Sequence, residues 1–143
     1  MTNRSWIALG IFCAAAMTLL MPWSAQAARR APVALNAADA DFIALREASL
    51  RGDVGEAGRI AARLSDYPLQ SYIEYYKLYP RLASAPEGEV RSFLSKYEGT
   101  AIGDRLRNDW LLLIGRARDW RLFDEQYAQF VLNDDTQLKC YAL

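Results

Sequence analysis

The chain contains no histidine. That single absence excludes Ser-His-Asp triads, Cys-His pairs and every metal site built on imidazole. Cysteine is nearly as scarce: Cys13 and Cys140 are the only two, and no C-x-x-C motif occurs. Charge of one sign is not in excess, with 17 basic and 17 acidic residues, so there is no electrostatic footprint for nucleic acid. A Gly-rich phosphate loop is also missing. Asp134-Asp135 could suggest a cation, but a calcium loop needs several more ligands and a Gly at the turn. No stretch alternates with period two over a strand length, so no sheet is expected. What remains is an ordinary globular composition, 52% hydrophobic and 24% charged over 143 residues.

Residues 1–27 read as an export signal. Arg4 supplies the positive start, Ile7 to Met21 is free of charge, and Ala25-Gln26-Ala27 is an A-x-A cleavage site. The apolar run is short for a membrane span of about 20 residues, so cleavage is expected, with no membrane association after it. Arg4 is the only charged residue of that segment, which leaves 16 basic and 17 acidic residues in the mature chain. Residues 28–35 form a loose leader. A helical segment is expected over 36–143.

Along that segment one helix follows another. Asn36 is a helix cap, the helix runs over roughly 37–51 with Phe42, Leu45 and Ser49 on one face, and Gly52 stops it. Asp53-Val54-Gly55-Glu56 opens the second helix like a capping box, with Val54, Ala57, Ala61 and Leu64 inward. Gly55 and Gly58 each cost about 1 kcal/mol of helix propensity, which is expected to be offset by close helix–helix approach. The organising stretch is Asp66 to Leu82, expected to start with Pro68 in the first turn. Leu69, Tyr72, Ile73, Tyr76 and Tyr79 share one face, and Tyr75, Leu78 and Leu82 form a second apolar line. Gln70, Glu74, Lys77 and Arg81 leave only a narrow polar stripe, so this helix is expected to be covered on two sides. Pro86 opens a fourth helix with Glu87 and Glu89 in its first turn. Val90, Phe93, Leu94 and Tyr97 form its core face, and Gly99 its end. Thr100 caps a fifth helix reaching Ala117, with Ile102, Leu106, Trp110 and Leu113 inward. Asp119 caps a sixth along Trp120, Phe123, Tyr127 and Phe130. Asn133, Asp134 and Asp135 break the chain before a seventh at 136–143. The fold class is therefore all-α. Consecutive antiparallel hairpins over 36–65, 66–99 and 100–132 give a spacing expected of an α-solenoid. The seventh helix has no partner, and Cys140 has no mature-chain partner in an oxidising compartment. Both lead to the expectation of a chain truncated at its C-terminal end.

Little in the sequence carries chemistry. Asp53 and Asp119 suit caps, and Glu87 and Glu89 suit the helix dipole. Asp104 and Asp109 are spaced to pair with Arg105, Arg107 or Asn108 on a solvated face. Trp110, Trp120, Tyr72, Tyr75, Tyr76 and Tyr79 could stack on sugar rings, but at helical spacing they are expected in the core. No residue is assigned a catalytic, cofactor-binding or metal-binding role.

Asp66-Tyr67-Pro68-Leu69 followed by Tyr72-Ile73-Glu74-Tyr75 resembles the D-Y-P-L-x-x-Y-L-E-Y stretch of the soluble lytic murein transglycosylases. The later order is similar too: Val90-Arg91-Ser92-Phe93-Leu94, Asp104-Arg105-Leu106-Arg107, Trp110-Leu111, Asp119-Trp120 with Phe123, then Asp135-Thr136, Cys140 and Tyr141-Ala142. The resemblance covers roughly residues 40–143. It implies the N-terminal superhelical (U-domain-like) region of that family, located in the periplasm and directed to peptidoglycan. It also implies that catalysis belongs to a separate lysozyme-like domain with E-S-x-F and G-L-M-Q motifs, which leaves a 1,6-anhydro sugar. Neither motif occurs here, and Glu47-Ala48-Ser49 is no match. The competing reading is an independent periplasmic helical-repeat adaptor for a protein partner, although the tetratricopeptide W-x-x-L-G pattern is missing. A small stand-alone enzyme is the third.

Overall fold

The computed structural model describes residues 36–143. The export signal and the leader lie outside the described residues. Among the described residues seven α-helices follow one another: α1 (Ala37–Leu50), α2 (Val54–Arg63), α3 (Gln70–Leu78), α4 (Glu87–Lys96), α5 (Ala101–Ala117), α6 (Trp120–Tyr127) and α7 (Thr136–Tyr141). A 3-10 segment, Tyr79–Ser84, links α3 to α4. No strand occurs among the described residues.

Local chemistry sets most helix starts. The side chains of Asn36, Asp53, Thr100 and Asp119 accept the backbone N–H of Asp39, Glu56, Gly103 and Leu122 at 2.8, 2.9, 3.2 and 3.1 Å. Each bond satisfies a donor that has no partner inside its helix. The capping box at Asp53 is only half made, because Glu56 pairs with Arg59 instead. Asp135, expected as part of a break, caps α7 through Gln137 and Leu138. Gly52 and Gly99 end their helices with positive φ, 77° and 69°.

The organising stretch departs from its sequence reading at both ends. Pro68 does not open α3; the helix begins at Gln70, with Leu69 as a cap that offers no side-chain bond. Gln70 instead reaches backward, its Nε2 donating to the carbonyls of Leu64, Ser65 and Tyr67 at 2.7–2.8 Å. It thereby closes the end of α2. At the other end Pro80 has no N–H to continue the ladder, and the chain tightens into the 3-10 segment after Leu78.

Two apolar clusters form the interior. One holds Leu45, Ala48, Ala57, Ile60, Ala61, Leu64 and Ile73, from α1, α2 and α3. The larger one gathers around α5, with Leu106, Trp110, Leu111 and Ile114 against Tyr75, Leu78, Val90, Phe93, Phe123 and Leu138. Tyr76 packs at the margin of both. α3 thus lies between the clusters, touching α1, α2 and α5, but α5 is a hub of equal weight: it touches α3, α4, α6, α7 and the 3-10 segment.

Close approach occurs at glycines other than those expected. A Cβ on Gly58 would meet open space, and one on Gly55 only the Asp53 carboxylate at 3.7 Å. The crowded positions are on α5. A Cβ at Gly103 would overlap the Tyr97 carbonyl oxygen, and one at Gly115 would enter the ring of Tyr141.

Candidate functional site: a polar cleft at Tyr75 and Asp109

The carboxylates read as a solvated face of α5 have other roles. Asp104 accepts the backbone N–H of Val131 and Leu132 at 3.1 and 2.6 Å, which fixes the loop before α7. Arg107 is buried, and its Nη1 donates to Gln126 Oε1 at 2.6 Å. Asp109 is half-buried and accepts the hydroxyl of Tyr75 at 2.6 Å. The same hydroxyl oxygen receives Arg105 Nε at 3.3 Å. One polar chain therefore joins α3 to α5. Burial pushes the Asp109 carboxyl above its ordinary range, against the opposing pull of Tyr75 and Arg105. Burial, followed by the bond to Asp109, pushes the Tyr75 phenol upward, so it remains a neutral donor.

This pair lines a cleft of about 560 Å³. α1 contributes Arg46, α3 contributes Tyr72 and Tyr76, α5 contributes Arg105 and Asn108, and the loop before α7 contributes Asp134 and Asp135. The volume is within the usual range of about 300–1,000 Å³ for small-molecule sites.

The aromatic residues separate by position. Tyr75 and Trp110 are core, 3% and 7% exposed. Tyr76 and Tyr79 pack partly buried against the larger cluster. Tyr72 and Trp120 expose ring surface, at 38% and 45%. Trp120 leans on Phe123 and Tyr141 at about 6 Å and does not line the cleft. A shared sugar-stacking platform is therefore not assembled; only Tyr72 offers an exposed face to the cleft. Glu74 is tied to Lys96 at 2.7 Å. Glu89 holds Arg81 through two hydrogen bonds, which keep its carboxyl below the ordinary range. Asp135 spends one oxygen on its cap. Among the described residues no three acidic or sulfur side chains gather where a metal ion could sit.

Sequence reasoning missed Asp109 and Arg46 as cleft residues. A weak signal was present: Arg105 and Asp109 are four apart, hence on one face of α5. Nothing local says that this face meets Tyr75, which is 34 positions away.

The described residues form an all-helical segment with a half-buried carboxyl, Asp109, facing a mixed-charge hollow. No family model, curated protein or solved structure matches the chain.

Proposed function

We propose that the chain is a non-catalytic helical scaffold segment of a periplasmic lytic murein transglycosylase, acting in peptidoglycan cleavage and turnover. The observation that carries this reading is where the resembling residues fall. Asp66 to Leu69 form the α2–α3 turn, Tyr75 bonds Asp109, Trp110 fills the core, and Asp119 and Asp135 cap helices. These are positions that hold helices together rather than positions that react. The helices are read as consecutive antiparallel hairpins of a superhelix. Support comes from the packing of α1 on α2 and of α5 on α6, and from the Lys96–Glu74 pair between α4 and α3. In this role the partner is peptidoglycan, met through the parent enzyme.

Glycoside cleavage requires an acid of raised pKa beside the scissile oxygen. The Asp109 carboxyl combines a raised pKa with a place in this cleft, and one of its oxygens is already engaged by Tyr75. The test is incubation of the purified mature chain with peptidoglycan sacculi, followed by chromatography. No 1,6-anhydromuropeptides are expected. Their release, abolished by Asp109→Asn, would overturn the scaffold reading. Mass spectrometry of the periplasmic protein is expected to show residues 1–27 removed; an intact Met1 would overturn export with cleavage.

A further inference from the structure

Several charged side chains that line the cleft are without an ion-pair partner among the described residues. Arg63, Arg81 and Arg91 are each engaged by carboxylates. Arg46 has no carboxylate within ion-pair distance among the described residues, and Arg105 has only its single bond to Tyr75. The carboxylate of Asp134 is without hydrogen bonds among the described residues, Asp109 has its Tyr75 bond and the Asn108 amide beside it, and both residues line the same hollow. Two guanidinium groups and the carboxyl groups of Asp109, Asp134 and Asp135 thus line one open hollow together with Tyr72, Asp135 having one oxygen engaged in its cap.

That combination selects by charge. A ligand with only a carboxylate would meet Asp109 and Asp134 as well as the arginines. A simple cation would meet both guanidinium groups. A neutral ligand would strip water from these ionisable groups without pairing any of them, which is costly. A ligand carrying both charges satisfies both sets, and wrong charge patterns are rejected by repulsion. Charge-assisted bonds are also the stronger ones. We infer that this cleft binds a zwitterionic short peptide, its carboxylate held by Arg46 and Arg105, its ammonium by Asp109 and Asp134, and its carbon skeleton laid against Tyr72. Tyr75 is a positioning residue: it holds Asp109 on the cleft wall through the 2.6 Å bond and is itself buried.

This goes beyond the scaffold role and stands on the cleft's own side chains, so sacculus digestion and peptide binding can fail independently. The test is titration of the isotope-labelled chain with Ala-Ala, followed by NMR. Three further probes are N-acetyl-Ala-Ala, which lacks the ammonium, Ala-Ala amide, which lacks the carboxylate, and chitobiose. Saturable shifts at Asn108 and Asp109 are expected with Ala-Ala. Loss of either charge should weaken binding about tenfold or more, the scale of one charge-assisted hydrogen bond. Arg46→Gln and Asp134→Asn alter exposed residues without partners in the fold. Each should weaken Ala-Ala binding by a similar factor while leaving the circular dichroism spectrum unchanged. Equal binding of the charged and blocked dipeptides, no binding of Ala-Ala, or shifts with chitobiose alone would each overturn the inference.

Discussion

Replacing Gly103 with alanine opposes two effects of known size. Gly103 is inside α5, where alanine is favoured by about 0.8–1.0 kcal/mol on propensity alone. The new Cβ would overlap the carbonyl oxygen of Tyr97. That oxygen is backbone, and it already accepts the Thr100 hydroxyl at 2.6 Å and the Thr100 N–H at 3.2 Å. Moving it disturbs the turn that carries the α5 cap, because Thr100 in turn accepts the Gly103 N–H. Overpacking costs about 1–3 kcal/mol, and a lost cap about 1 kcal/mol more. A net destabilisation of about 1–3 kcal/mol is expected. Gly58→Ala is the matched control, since its Cβ meets open space; it should stabilise by about 0.8–1.0 kcal/mol. The two variants should differ by about 2–4 kcal/mol. With a urea dependence of about 2 kcal/mol per molar, their unfolding midpoints should separate by about 1–2 M. Far-UV circular dichroism along a urea series reads this directly. A Gly103→Ala midpoint at or above wild type, or a Gly58→Ala midpoint below it, would refute the reasoning.

Trp110→Ala should cost about 3–5 kcal/mol, a large part of a typical domain stability of about 5–15 kcal/mol, because the ring is 7% exposed beside Leu106 and Leu111; an unchanged urea midpoint would contradict this. Tyr76→Ala should also destabilise, by less than Trp110→Ala since its ring is only partly buried, yet at the margin of both clusters. Gln70→Ala should cost about 1 kcal/mol by removing the side-chain donor shared by the Leu64, Ser65 and Tyr67 carbonyls, the Leu64 one keeping the Tyr67 N–H, which hydrogen exchange at the α2–α3 turn would also register. Asp109 has a folded pKa above its unfolded value, so its folded state binds the proton more tightly. Its contribution is therefore fully present below the ordinary carboxylate range and is lost as pH rises through the raised value. Asp109→Asn keeps an acceptor for Tyr75 and cannot ionise. Its stability relative to wild type should accordingly increase from about pH 4 upward and then level off; a difference that does not change with pH would rule out the burial argument.

The parts of the fold legible from the sequence are those made within one turn of chain. Asn36, Asp53, Thr100 and Asp119 cap helices because a short oxygen-bearing side chain reaches an N–H three residues ahead. The apolar periodicity of α5 identified Leu106, Trp110 and Ile102 as core for an equally local reason. The α3 stretch was legible as apolar on two sides, but its start and finish were not. Gln70 reaches backward to α2, and Pro80 alters a ladder that the apolar pattern alone continues.

The sequence by itself determined an all-helical segment, most helix boundaries, and which faces carry aromatic and aliphatic side chains. Only the tertiary structure decided what those faces meet. Tyr75 and Asp109 are 34 positions apart and share no local signature, so their hydrogen bond, and the burial that raises the Asp109 pKa against it, arise only when α3 packs on α5. Arg46 reaches the same cleft from α1. The glycines make the same point: Gly58 and Gly103 are alike in sequence terms, yet one faces open space and the other a carbonyl oxygen. Propensity and capping depend on near neighbours and survive in a linear reading. Burial, charge pairing and steric room depend on distant chain brought close, and exist only in the folded molecule.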